Sequence, residues 1–183
     1  MKKRTLSYLK KVALLTSLSS LIVPIHSVYA AQAASVKLEA KSNSKTKGQL
    51  EIVQKGKEVL IKGEISGLGP NTVHGFHVHE NGDCSAKDGS SAGGHFNPMD
   101  KNHGGPEMDK HHVGDLGNIR ANKNGKALID KKYKFLTLEE AKKASILNKA
   151  IIVHSKADDL ESQPSGDAGK RIACGIIKES KIK

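Results

Sequence analysis

Short alternations of apolar and polar residues, rather than helical stripes, run along most of this chain. In Ser35–Asn43 the residues Val36, Leu38 and Ala40 fall on every second position, which is the periodicity of a half-buried strand. Gln49–Val53, Val59–Ile65 and Thr72–His79 are three further β-prone runs. Leu116–Ala121, Lys126–Asp130, Ala150–His154 and Arg171–Ile177 complete the set. Asn122-Lys123-Asn124-Gly125 reads as a hairpin turn, because Asn-Gly accepts positive φ. Lys126–Asp130 is therefore expected to return as the partner of the strand before it. Only Leu138–Leu147, with Glu139, Glu140, Ala141 and Lys142, suggests a short helical turn. About eight short strands joined by polar loops predict an all-β sandwich or barrel.

Two stretches carry no apolar period. Gly82–Asp115 is long, polar and rich in Gly, Asp, Ser and His. Ser155–Lys170 is shorter and holds Pro164, Gly166 and Gly169. A loop of the first length inside a compact domain is expected to be functional or disordered.

The N-terminus departs from the strand pattern. Lys2, Lys3, Arg4, Lys10 and Lys11 precede a mainly apolar run from Val12 to Ile25, and Val28-Tyr29-Ala30 then offers small residues at a cleavage position. That order predicts a secretory signal peptide over residues 1–30 and a mature domain over 31–183, with a second possible cut after Ala33. The run falls short of the roughly 20 residues that span a bilayer, so no stable membrane anchor is expected. The predicted leader carries five basic and no acidic residues, so its removal takes the net charge from +11 to +6. The remaining lysines are dispersed, Trp is absent and aromatics make up 3%. That composition argues against nucleic-acid partners, which need stacking platforms or a concentrated basic face. Cys84 and Cys174 both lie in the mature part. In an exported protein such a pair is expected to be bonded, stabilising the fold by roughly 4–5 kcal/mol on the chain-entropy model.

The histidines add chemistry. Nine occur, and His26 leaves with the leader. His77 and His79 stand two apart on a predicted strand, so both rings leave the same face and can reach one ion. His74 shares the parity of Phe76 and Val78 and is read as a hydrogen-bonded structural histidine. His95, His103, His112 and Asp115 lie on or at the end of the long polar loop, where imidazoles and a carboxylate make a plausible closed zinc site. Such a site would order a loop that has no apolar core. His154 ends a strand far along the chain. Imidazole-rich sites suit copper and zinc. The residues alone stop there, at a copper or zinc protein without a reaction.

At these positions the chain resembles the copper-zinc superoxide dismutase family, in its secreted bacterial form. The matching segments are HGFHVHENGD (74–83), GGHFNP (93–98), HGGP (103–106), HHVGDLGN (111–118), IIVHSKADDL (151–160) and GDAGKRIACGII (166–177). The resemblance implies a Greek-key β-barrel with long metal-binding and electrostatic loops. It implies copper on His77, His79, His95 and His154, and zinc on His95, His103, His112 and Asp115, with His95 bridging. Asp158 would link His77 to His103, and Arg171 would stand beside the copper and attract superoxide, with Lys170 adding to the field. Cys84 and Cys174 match the family's disulfide. His111 could compete with His112, but only His112 directly precedes Val113-Gly114-Asp115. Leu136–Asn148 matches less well. The implied reaction is dismutation of superoxide to dioxygen and hydrogen peroxide, with His95 taking and returning a proton. Expected location is the bacterial periplasm. Monomer and homodimer both remain open. Rival classes are a copper carrier, which tends to lack copper ligands, and a zinc hydrolase, which needs an open zinc position and a general base.

Overall fold

The computed structural model describes residues 32–181. The expected leader lies outside them. Nine strands form among the described residues: β1 (Gln32–Ala40), β2 (Lys47–Lys55), β3 (Glu58–Ser66), β4 (Val73–His79), β5 (Asp115–Arg120), β6 (Ala127–Tyr133), β7 (Ala150–His154), β8 (Arg171–Ile176) and β9 (Lys178–Ser180). All pair antiparallel, in the order β5-β4-β7-β8-β1-β2-β3-β6, with β9 added against the start of β1. The ends of that path, β5 and β6, come together, so the sheet curls into a nearly closed barrel. The Tyr133 hydroxyl of β6 donates to the Leu116 carbonyl of β5 at 2.9 Å and pins this seam. An all-β barrel was the expectation.

Alternation fills the interior. Ala34, Val36 and Leu38 of β1, Leu50 and Ile52 of β2, Ile61 and Ile65 of β3, and Phe76 and Val78 of β4 share one core with Leu116, Ile129, Ile151 and Val153. β1 begins earlier than its pattern suggested, at Gln32, and Ala40 is exposed rather than in the core.

One expectation changes and another is met only locally. Lys126–Asp130 does form a strand, but it pairs with β3, not with β5. The Asn122–Gly125 turn is real, with Gly125 at φ 69° and its N–H bonded to the Asn122 carbonyl at 3.0 Å. An Asn-Gly turn fixes a local reversal only; here it carries the chain across the barrel's seam. Leu138–Leu147 holds the expected turn, with the Lys142 amide donating to the Glu139 carbonyl at 3.0 Å, but no helix continues from it. Gln54 Oε1 accepts the Leu138 amide at 2.6 Å, and Leu138 and Ile146 are buried in the core. A segment this short cannot repay helix nucleation, so tertiary anchoring sets its path.

Candidate metal centre

Every residue of β4 is buried or half-buried, on both faces. Phe76 and Val78 enter the barrel, and His77 and His79 leave its outer side, where the two polar loops cover them. A second apolar cluster ties that cover down: Ala92, Ala150, Ile152 and Cys174, with Cys84 packed against it. The Cys84–Cys174 disulfide joins the long loop to β8, as expected. The register shifts in the strands that carry the histidines, between Gly75 and His77 and between Val153 and His154. Such breaks in the ladder re-aim side chains and, as bulges, often border functional sites.

The histidines converge in two buried groups. One holds His77, His79, His95 and His154, the other His95, His103, His112 and Asp115. In each, one potential ligand atom per residue lies within 4.8 Å of the others. His95 belongs to both.

Hydrogen bonds on the outer nitrogens decide which nitrogen of each ring faces inward. His77 Nε2 donates to Asp158 Oδ2 at 2.7 Å, leaving Nδ1 buried and unpartnered. His79 Nδ1 donates to the Gly93 carbonyl at 2.9 Å, and His154 Nδ1 to the Gly169 carbonyl at 3.2 Å. Their Nε2 atoms then face each other at 3.4 Å, lone pair to lone pair. A cation between them removes that repulsion. His95 Nε2 is also buried without a partner.

Its other nitrogen, Nδ1, stands 2.8 Å from Asp115 Oδ1. The Nδ1 atoms of His103 and His112 stand 3.1 and 3.2 Å from the same oxygen, and neither makes a hydrogen bond. Asp115 Oδ2 accepts the backbone N–H of His112 at 2.7 Å and of Gly104 at 3.2 Å, which orients the carboxylate. Three imidazole nitrogens and one carboxylate oxygen form a closed four-donor set suited to zinc. The all-imidazole group suits copper. Unpartnered, buried, converging donors fit metal ions better than they fit an empty polar interior.

Charge follows the same division. Burial lowers His154 to about 3 and His95 to about 4, the second against the pull of Asp115. Burial also holds His79 well below the usual histidine range. Burial opposes a charge on His103 as well, but the Asp115 and Asp158 carboxylates outweigh it and raise His103 to about 9. Both carboxylates are held well below their ordinary range by these rings, despite burial. The rings of His79, His95 and His154 are therefore neutral at neutral pH, the form that ligates metal.

Asp158 joins the groups from behind. Its Oδ1 accepts His103 Nε2 at 2.9 Å while Oδ2 holds His77. Arg171 donates from Nη1 to the Gly89 carbonyl at 2.7 Å and from Nη2 to the Gly93 carbonyl at 2.6 Å, the same carbonyl that holds His79. With Lys170, Ser42, Asn43, Asp88 and Ser90 it lines a cavity of about 490 Å³. His74 is satisfied at both nitrogens, by the His154 carbonyl and Thr72 Oγ1, and stays out of the groups. His111 turns away as well, bonded to the His112 carbonyl at 2.6 Å and edge-on to Phe135.

The family model described as copper/zinc superoxide dismutase (SODC) matches residues 46–177. The chain belongs to the copper/zinc superoxide dismutase family. A Cu-Zn superoxide dismutase of Paramecium bursaria Chlorella virus 1 is 48% identical over 144 residues, 74% of this chain and 74% of the relative. Cu-Zn superoxide dismutase 1 of Aquifex aeolicus (strain VF5) is 42% identical over 134 residues, 72% of this chain and 79% of the relative. An extracellular Cu-Zn superoxide dismutase of Caenorhabditis elegans is 37% identical over 174 residues, 91% of this chain and 77% of the relative.

Some residues at this dismutase centre escaped the sequence reading. Asn118 clamps the backbone of Asp158 with two 2.8 Å bonds, Nδ2 to the carbonyl and Oδ1 from the amide. Lys41, in the turn after β1, donates to the Cys84 carbonyl. Gln163 holds the backbone of His103. Gly166 sits at φ 69° where a Cβ would lie 1.8 Å from Asp158 Oδ1. Loop amides and glycines have no periodicity, so only membership in the matched motifs could have flagged Asn118 and Gly166.

Proposed function

We infer that this chain is a superoxide dismutase with copper held by His77, His79, His95 and His154 and zinc held by His95, His103, His112 and Asp115. The observation that carries the reading is His95, whose ring turns Nε2 into the all-imidazole group and Nδ1 toward Asp115. When bound, copper would supply one-electron chemistry, taking an electron from one superoxide to give dioxygen and returning it to a second that takes up two protons to give hydrogen peroxide, while zinc would supply a fixed positive charge.

The protein's own groups do the rest. Arg171 is half-buried at the cavity, anchored on two carbonyls, and presents a positive charge to an incoming anion. Lys170 beside it extends the positive field. Focused potential of this kind raises the capture rate of small anions. His95 Nε2 is the atom that holds a proton and passes it on. Asp158 accepts from Nε2 of both His77 and His103 and so turns each Nδ1 toward its metal group. The covering loops bury the rings and keep bulk water from them.

Export completes the reading. Residues 1–30 have the order of a secretory leader, and the Cys84–Cys174 disulfide suits an oxidising compartment. No described helix is long and apolar enough to cross a membrane. Relatives in Caenorhabditis elegans and Brugia pahangi carry the name extracellular. The bacterial periplasm is the compartment we assign, and a homodimer is an assembly that sedimentation of the loaded protein would reveal.

Protein loaded with copper and zinc should speed superoxide decay and contain both metals. His95→Ala should abolish most of that rate while His77, His79 and His154 remain. Retention of full activity by the variant, or the absence of any rate from the loaded wild type, would refute the assignment.

A further inference from the structure

His103 stands on a stretch of loop that joins no strand. Its ring is bonded to Asp158 through Nε2, and its Nδ1 faces Asp115 at 3.1 Å without a hydrogen bond. Its backbone is held by one side chain from the other polar loop. Gln163 Oε1 accepts the His103 amide at 2.8 Å, and Gln163 Nε2 donates to the His103 carbonyl at 3.0 Å. The second hydrogen of Nε2 goes to the Glu161 carbonyl at 3.0 Å. A carboxamide offers an acceptor and two donors, and all three functions are used here. The pair of bonds to one residue imitates a strand partner for His103.

The turn that carries Gln163 is itself braced. Asp159 Oδ1 accepts the amides of Glu161 and Ser162 at 2.9 and 2.8 Å, and the Gly166 amide donates to the Ser162 carbonyl at 2.7 Å. Gln163 therefore reaches out from a fixed platform. Asn118 of β5 makes the same two-bond clamp on Asp158. The two clamps and the Asp158 carboxylate form a closed circuit: β5 to the second loop, the second loop to His103, and His103 through Asp158 to His77 on β4.

We propose that Gln163 is a positioning residue for zinc, setting the backbone of His103 so that its Nδ1 is presented to the ion. The proposal rests on the zinc assignment given above. Groups that orient a ligand, without touching the metal, change affinity by about 10–100-fold when removed. Gln163→Met keeps the length of the side chain and removes all three bonds. Gln163 is itself exposed, so the variant forces no new group into the interior, and the change falls on the His103 backbone it releases.

Zinc affinity is measured on copper-free protein by competition with a chromogenic chelator. Gln163→Met is expected to weaken zinc tenfold or more, and to alter the visible absorption of Co(II) placed in the zinc site. Amide exchange at His103 is expected to quicken in the same variant. A purely structural role gives the opposite pattern, a lower thermal midpoint of metal-free protein with unchanged zinc affinity and Co(II) spectrum, and overturns the proposal. His112→Ala is titrated in parallel. If it retains tight zinc, the zinc assignment itself has failed; if it loses zinc while Gln163→Met does not, only the role of Gln163 has failed.

Discussion

Gly166 shows how little room the centre leaves at single positions. Its φ of 69° lies in the left-handed region, and a Cβ there would meet Asp158 Oδ1 at 1.8 Å and His103 Nε2 at 2.7 Å. Neither atom can retreat, because the two are bonded to each other. Gly166→Ala must therefore break the Asp158–His103 bond or shift the second loop. A purified Gly166→Ala protein is expected to bind zinc more weakly and to melt several degrees below wild type, by calorimetry on metal-loaded samples. A wild-type melting point and full zinc content would show that the loop can relax. The same residue illustrates what reading a sequence can reach. Parity alone sent His77 and His79 to one face and His74 to the other, and the structure places them so. Nothing local in the sequence says that Gly166, Asn118 or Gln163 would meet residues tens of positions away, because loop contacts obey no period.

At the scale of elements, strand existence was legible and strand partnership was not. The Asn-Gly turn identifies Lys126–Asp130 as a strand, yet its partner β3 lies over 60 residues earlier, in register Ile129 with Gly63. A two-residue period specifies a face, not a neighbour. In Leu138–Leu147 the turn at Glu139–Lys142 is legible from its composition, but the path on either side is not, because Leu138 and Ile146 are taken by the core. β1 bears on the proposed leader. Ala33 is buried, pairs with Val53 of β2 and with Ser180 of β9, and lies inside the strand. A cut after Ala33 would remove the first two residues of β1 and these contacts; a cut after Ala30 removes none. The exported protein is expected to begin at Ala31. The intact mass of protein recovered from outside the cytoplasm reads this directly, and a chain starting at Ala34 would contradict it.

The whole molecule couples folding to protons and to substrate. In the metal-free protein His95 and His154 are depressed by burial to about 4 and about 3, from an ordinary 6.5. The unfolded chain then binds more protons than the native one below pH 6.5. Their contribution is complete above pH 6.5 and is lost as the pH falls through about 4. His103 runs the other way. Raised to about 9 by its two carboxylates, it contributes fully below pH 6.5 and loses that contribution as the pH rises through 9. The thermal midpoint of chelator-treated protein should therefore peak near pH 6.5 and fall on both sides. A flat profile between pH 4 and 9 would mean that the rings repack once the metals leave.

Substrate capture is the other property of the whole. The net charge is positive, yet steering depends on charge close to the all-imidazole group, and Arg171 shares the Gly93 carbonyl with His79 of that group. That carbonyl belongs to the loop that the disulfide anchors to β8. Arg171 touches neither proposed metal group as a ligand, so Arg171→Ala should leave copper and zinc contents unchanged. It should lower the rate at low salt by roughly tenfold or more, within the range that electrostatic steering supplies. The informative quantity is the slope of rate against ionic strength. Wild type should slow as salt screens the field over a Debye length of about 10 Å at 0.1 M. The variant should be slower and flatter, because the charge nearest the target is gone. If its rate and slope both match wild type, capture is governed by Lys170 and more distant lysines, and the carbonyl-anchored guanidinium serves only to brace the loop.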